Sequence, residues 1–361
     1  MKTILVISPL SSGHMQKWIH PICKDYKFIF FTLHNAVLPD DFIDCKIISF
    51  PRMTNTRLDF VIAIPYLQFV IIKNKPDLIF SCFLSSYGLM TSFVKTKCKK
   101  ILSVWGTDVN GKTLNNKLIN FLVKKAKNKF DWINSPAFHI KKKLVGLGFS
   151  SNQIDVFQYG INLSDYKIKK YKNTNPPIKL LSIRNWDDLY NIDYIIKEYS
   201  LFCSSSKIKS ELTIIGKGPS DRKQKLLDLI SSLDFSNGKV SIAGFLDKNT
   251  LIETYCANNA IISVPSMDGT PLSVLESMFV GLVPIVSNID ANHEWLNKST
   301  AFFCTPNEPY SLMHAIDATC NAIIDNKHFD LIKANREKVI KHGDYTINTK
   351  RLADKIKSLI N

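Results

Sequence analysis

Short apolar runs alternate with longer helical patterns along the whole chain, and this alternation constrains the fold more than any other feature. In the first half the runs lie at 3–8, 28–32, 45–50, 78–82, 101–104, 132–135 and 155–158, with helical stretches such as 15–26, 58–73 and 114–130 between them. A second series follows at 179–183, 211–215, 239–243, 260–264, 283–286 and 300–304. Strand runs separated by helices build parallel, doubly wound sheets. Between the two series, residues 166–177 (YKIKKYKNTNPP) are polar, carry two prolines and lack apolar periodicity, which predicts an interdomain linker.

The expected fold is α/β, with two Rossmann-like doubly wound domains facing across a cleft. The first spans 1–168 and the second 178–344; a final helix at about 345–361 follows no strand and has the option of packing back on the first. A chain of 361 residues suits two such cores. Ligands of these sheets bind at the carboxyl ends of the strands, so the chemistry is expected there.

Composition narrows the setting. The longest apolar stretch, 60–72, is too short for a membrane span and is interrupted by Pro65 and Gln68. Residues 3–7 are too short for a secretory apolar region and predict a buried first strand. Eight scattered cysteines without a CxxC pair fit reduced thiols in a cytoplasm, with neither disulfides nor a zinc site. The net charge of +16 is concentrated: residues 95–143 hold thirteen lysines against Asp108 and Asp131. A Lys-rich composition explains many lysines but not a stretch nearly without acids. Such a basic face attracts polyanions, and an anionic membrane surface is the expected partner.

The stretch 263–281, SVPSMDGTPLSVLESMFVG, carries the most chemistry. A buried strand ends near Pro265, a tight turn follows and a helix begins. Thr270 predicts an N-cap, Pro271 the first helical residue, and Gly281 the helix stop. The free amides of Leu272 and Ser273 then offer a diphosphate site that needs no metal. Asp268 and Glu276 bracket this helix start, with Glu276 about 7–8 Å along the axis from Pro271. Glu276 sits in an otherwise apolar helix, where a plain solvated role is hard to place.

This stretch resembles the acid-x7-acid motif of the retaining glycosyltransferases of family 4, which have the GT-B fold. The first acid is usually Glu; Asp268 is similar to the branch with "DGTPLSVLEAM". The resemblance implies Asp268 on the donor sugar, Glu276 on the ribose hydroxyls, and Gly269, Thr270, Pro271, Leu272 and Ser273 around the diphosphate. It implies Arg184, after the first strand of the second domain, as the cation on the diphosphate. The family's partner lysine is absent, with Tyr190 nearest its place and Lys217 a candidate substitute. Gly244 matches a turn that reads the nucleobase, although a glycine needed only for the turn explains it equally.

In the first domain, Gly13 matches the glycine-rich loop near the donor phosphate. His14, four residues before Trp18, is expected at the sugar or simply at a helix start. Trp105 and Asp108, in Trp105-Gly106-Thr107-Asp108, resemble the "WGSD" branch. Asp108 is expected as a catalytic residue that faces the acceptor or donor sugar, as a hydrogen-bond acceptor or a base, or else as a cap on the next turn. Cys82 stands where that branch often has histidine. The amphipathic pattern 114–130, apolar at 114, 118, 121, 122 and 126, predicts a basic helix that lies on lipid or packs on its sheet.

The expected activity is transfer of a hexose-type sugar from a nucleotide-diphosphate sugar, UDP-sugar favoured, to a saccharide or lipid-linked acceptor. Retention, absence of a metal or other cofactor, and a place in surface polysaccharide, capsule or lipopolysaccharide synthesis come with the resemblance. The expected location is cytoplasmic, peripheral on the inner face of the membrane. The alternative is a GT-B nucleotide-sugar epimerase acting on donor alone. A nucleic-acid binder is a weaker rival, because lysine clusters with few arginines do not make specific recognition.

Overall fold

A computed structural model describes residues 1–34, 38, 42, 45–169 and 176–360, the side chain of Lys112 apart. The chain forms two compact units, one of residues 1–159 and 345–361, the other of residues 160–344. The middle of the expected linker, 170–175, lies outside the described residues.

The first unit is built on a seven-stranded sheet. Its strands are β1 (Thr3–Ile7), β2 (Lys27–Thr32), β3 (Lys46–Ser49), β4 (Leu78–Cys82), β5 (Lys99–Ser103), β6 (Trp132–Ser135) and β7 (Ile154–Val156). They run in the order β3-β2-β1-β4-β5-β6-β7, and every pairing is parallel. A parallel sheet is covered on both faces, which is why β1 and β4 are continuous apolar runs buried along most of their length. The helix Leu58–Asn74 covers one part of the sheet with Ala63, Leu67, Val70 and Ile71, which pack with Tyr87, Met90 and Val94.

The second unit carries β8 (Ile178–Ile183), β9 (Ser210–Ile215), β10 (Gly238–Gly244), β11 (Ala260–Ser263), β12 (Val283–Ser287) and β13 (Phe302–Cys304). Their order is β10-β9-β8-β11-β12-β13, again all parallel. In both sheets the winding reverses in the middle, between β1 and β4 and between β8 and β11. Each unit therefore has one crevice position where the loops from neighbouring strands part.

Two helices differ from expectation. The pattern at 15–26 gives a helix only over Gly13–Ile19, followed by a short tight turn over His20–Ile22. Pro21 cannot donate to the carbonyl of Lys17, so the helix ends there. That carbonyl is satisfied instead by the Tyr345 hydroxyl at 2.8 Å, from the C-terminal helix Tyr345–Ile360. The pattern at 114–130 is helical only over Lys117–Lys125, between two tight turns. Of its apolar side chains Val123 faces the core, whereas Leu118 and Phe121 are exposed.

Candidate active site

The second unit's crevice is where the predicted donor residues meet. Arg184 follows β8, and its backbone amide continues the sheet by donating to Ile215 at 3.1 Å. Its Nη2 lies 2.7 Å from Oδ2 of Asp268, and its Nε donates to the Ser263 hydroxyl at 3.0 Å. The Tyr190 ring lies against the guanidinium, 5.3 Å from centroid to carbon. The other Asp268 oxygen accepts the Gly269 amide at 2.7 Å. Nη1 of Arg184 has no protein acceptor among the described residues, so one edge of the planar cation is left for a ligand. Burial raises the Tyr190 hydroxyl, and the nearby Arg184 charge opposes that shift.

The helix Leu272–Val280 starts one residue later than expected. Pro271 is its N-cap, at φ −81° and ψ 82°, so Thr270 is not the cap and Pro271 is not the first helical residue. Its non-helical ψ sets the boundary, and proline has no side-chain oxygen with which to cap. The Pro271 carbonyl accepts from Val274 and Leu275. The amides of Leu272 and Ser273 have no acceptor among the described residues, and the buried Ser273 hydroxyl has no partner either. Three unsatisfied donors in a first turn, at the positive end of the helix, make a place for an anion. Gly281, at φ +113°, stops the helix, as its placement in the sequence predicts.

Glu276 is half-buried on this helix. Tyr255, from the helix Lys248–Ala257, donates its hydroxyl to Oε2 at 2.6 Å. The Tyr166 ring packs edge-on to Tyr255 and Phe279, and its hydroxyl lies within the field of the Glu276 carboxylate. Burial and then the Glu276 charge push both tyrosine hydroxyls well above their ordinary range, so both remain protonated donors. The Tyr255 hydroxyl also senses the Arg184 charge, which ties the two acids into one neighbourhood.

The turns after β8, β9 and β10 lock together. The Gly216 amide donates to the Gly244 carbonyl at 2.9 Å, and the Trp186 amide to that of Lys217 at 2.9 Å. A Cβ on Gly216 would stand 2.0 Å from the Arg184 carbonyl. Gly244 adopts φ +72° with open space around it. Lys217 is exposed, its ammonium 5.6 Å from the centre of the exposed Phe245 ring.

In the first unit, Gly13 opens its helix behind Ser12, whose hydroxyl accepts the His14 amide at 3.3 Å. Nothing lies within 4 Å of where a Gly13 Cβ would be. His14 Nδ1 is 2.8 Å from the Tyr159 hydroxyl, and its ring is 5.2 Å from that of Trp105. Trp18 is a core residue, edge-on to Phe157 and Tyr159. Cys82 is buried, and burial pushes its thiol up to about 12.

Asp108 corrects an expectation. It is 1% exposed, and its carboxylate accepts the amides of Leu84 (2.7 Å), Trp105 (3.1 Å) and Gly106 (2.8 Å). Burial raises its pKa to about 6, with the three amides opposing the rise. A carboxylate turned inward and filled by backbone donors organises loops, which fits the turn-holding role and leaves its oxygens no open side. One amide it holds follows Phe83, which has φ +65° at the end of β4.

Tyr255, Tyr166 and Ser263 were not legible as site residues. Tyr255 stands alone in a polar helix without a motif, and Tyr166 falls in the stretch expected to be a linker. For Tyr190 the sequence marks the position but not its role under Arg184.

Two family models match the chain: one described as Glycosyl transferases group 1 over residues 179–321, the other as Glycosyl transferase 4-like over residues 3–136. No curated protein matches. Similar solved structures include sucrose-phosphate synthase from Thermosynechococcus elongatus (TM-score 0.78, 13% identity, 99% of each chain covered). Anabaena HepE in complex with UDP is also similar (TM-score 0.78, 12% identity, 99% of this chain and 100% of the other). So is the apo form of the lipopolysaccharide outer core galactosyltransferase WaaB (TM-score 0.74, 14% identity, 99% of each). At these identities the structural likeness is one of fold, and it agrees with the two parallel sheets. Since each unit also carries its own glycosyltransferase model, the chain is a glycosyltransferase of the GT-B fold.

Proposed function

We propose that the protein transfers a hexose-type sugar from a UDP-sugar to a saccharide or lipid-linked acceptor, with retention of anomeric configuration and without a metal. The observation that carries this is the Arg184–Asp268 pair in the crevice that also holds an uncapped helix start. A diphosphate there would meet the Leu272 and Ser273 amides, the Ser273 hydroxyl and the open edge of Arg184. These positive groups supply the charge stabilisation that a divalent cation gives elsewhere. Glu276, held by the Tyr255 hydroxyl, would take the ribose hydroxyls, and Asp268 the sugar. Gly244 and Phe245 stand where a nucleobase would lie, with Lys217 beside them as the substitute cation. In the first unit, Gly13, His14 and Trp105 would line the sugar or acceptor.

In the step itself the anomeric carbon–oxygen bond to the diphosphate breaks and a bond to the acceptor oxygen forms. The acceptor proton passes to the departing diphosphate, and the nucleoside diphosphate leaves. HepE complexes with UDP and with UDP-glucose support a uridine donor by analogy. The WaaB likeness supports a role in surface glycans, lipopolysaccharide among them. Both family models are of transferases, which does not favour an epimerase. The acceptor is taken to lie at an anionic membrane surface, through the basic face of residues 95–143.

A thermal-shift screen of nucleotide sugars, followed by NMR of the product, tests the reading. A UDP-sugar should stabilise the protein, Asp268→Ala and Glu276→Ala should abolish turnover, and a chelator should leave it intact. No stabilisation by any nucleotide sugar, or an inverted product, would overturn the donor or the stereochemistry respectively.

A further inference from the structure

The outer face of the helix Leu58–Asn74 is apolar and uncovered. Leu58, Val61, Ile62, Tyr66, Phe69 and Ile72 are between 39% (Tyr66) and 63% (Ile72) exposed. At 3.6 residues per turn they fall within roughly 140° of the circumference, opposite the buried Ala63, Leu67 and Val70. From 58 to 72 the only charged residue is Asp59, which is buried and bonded to Arg52 and Thr54. A continuous apolar stripe of this length on a water-facing surface marks an interaction site.

A basic surface adjoins it. Gln68, on the same helix, makes two hydrogen bonds to the Lys95 backbone, donating at 2.9 Å and accepting at 2.7 Å. Lys95 begins the rim of a cavity of about 790 Å³ that Lys97, Lys99, Lys125 and Lys129 also line, against Asp131 as the one acid. Lys100 is buried at the same place and donates to the Val94 carbonyl at 2.7 Å, holding the segment that presents the exposed Phe93. Leu118 and Phe121, exposed on the helix Lys117–Lys125, continue the mixture of apolar and cationic groups, with Lys125 over the Phe121 ring at 4.6 Å.

The geometry points to this face as a bilayer-docking surface: the stripe from Leu58 to Ile72 enters the acyl boundary of an anionic membrane, and the lysine cavity receives lipid phosphates. An apolar stripe beside a cationic patch is matched by a surface that is apolar below and anionic above. A second copy of the chain fits less well, since a symmetric contact through this face would set its lysines against their own copies. The lysine cavity lies at the amino ends of β5 and β6, and the stripe runs toward it along the helix Leu58–Asn74 from the end at which Arg57 donates to the Thr113 hydroxyl at 2.8 Å. The docking surface deepens the membrane partner named under the proposed function, and it stands or falls independently of the donor.

Sedimentation with sucrose-loaded vesicles of phosphatidylcholine, with and without phosphatidylglycerol, tests it. The wild type should sediment with the anionic vesicles, and high salt should weaken this. Val61→Asp/Phe69→Asp should bind at least about tenfold less tightly, since it places charge in the stripe. Lys97→Glu/Lys129→Glu should lose the preference for phosphatidylglycerol. Unchanged melting and UDP stabilisation show that the variants are folded, and hydrogen exchange of unmodified protein should show protection of 58–72 by vesicles. Wild type left in the supernatant, or an Asp variant that sediments as wild type, overturns the proposal. A dimer in analytical ultracentrifugation that the Asp variant dissolves also overturns it, and assigns the stripe to a second copy.

Discussion

The Tyr255 hydroxyl donates to Glu276 Oε2 at 2.6 Å from a fully buried position, so the acid is aimed by a residue that no ligand can reach. Tyr255→Phe removes only that oxygen. Donor KM should rise roughly 10- to 150-fold, as for loss of a hydrogen bond to a charged group, while kcat changes less than about threefold. Steady-state kinetics against donor concentration check this. An equal fall in kcat and kcat/KM would mean that Tyr255 acts in the transition state instead.

Arg184 and Asp268 neutralise one another in the absence of donor. Arg184→Ala should weaken UDP by roughly 10- to 100-fold, and Arg184→Lys should not restore it, because an ammonium lacks the second edge. Asp268→Asn leaves the cation uncompensated, so UDP should bind no more weakly than to wild type while transfer slows at least about 100-fold. Calorimetry with UDP separates the two effects.

Gly216 is fixed by the chain it touches. With a Cβ 2.0 Å from the Arg184 carbonyl, Gly216→Ala must push the turn after β8 outward. It should cost at least about 2 kcal/mol and lower donor affinity with it. Gly244→Ala meets no such contact, and should show only the smaller backbone cost of φ +72°. Urea unfolding of the two variants compares them directly.

Asp108 gives a pH signature. Its folded pKa, about 6, lies above the ordinary 3.8, so the native state binds the extra proton. Its contribution to stability is full below about 3.8 and is lost as pH rises through about 6. At 1.36 kcal/mol per unit, this amounts to about 3 kcal/mol. The stability difference between wild type and Asp108→Asn should therefore shrink as pH rises from 4 to 7. Folded Asp108→Asn should retain transfer within about tenfold, because the buried side chain holds loops.

The thirteen strands among the described residues were legible. The central ones were so because parallel strands buried on both faces leave an unbroken apolar signature, as in Ile4-Leu5-Val6-Ile7. The exposed edge strands β3 and β10 were legible by their place in the alternation. The donor helix was legible to within one residue through Pro271 and Gly281. Side-chain direction was not. Asp108 stands out in an acid-poor stretch and invites a functional role, yet its oxygens point into the protein. The stretch 60–72 shows its apolarity in the sequence, but an uncovered outer face appears only when its inner residues are seen packed. Tyr166 was hidden by its polar neighbours, which resemble a linker by composition alone.

The unit that opens the chain is also the one that closes it. The Lys17 carbonyl, freed by Pro21, takes its hydrogen bond from Tyr345, while Arg351 and Lys355 sit over the rings of Phe157 and Trp132. As the chain emerges from a ribosome, the continuous stretch 160–344 can finish folding while the first 159 residues still wait for their final helix. A premature stop at Tyr345 would therefore damage the amino-terminal half and spare the segment that carries Arg184 and Asp268.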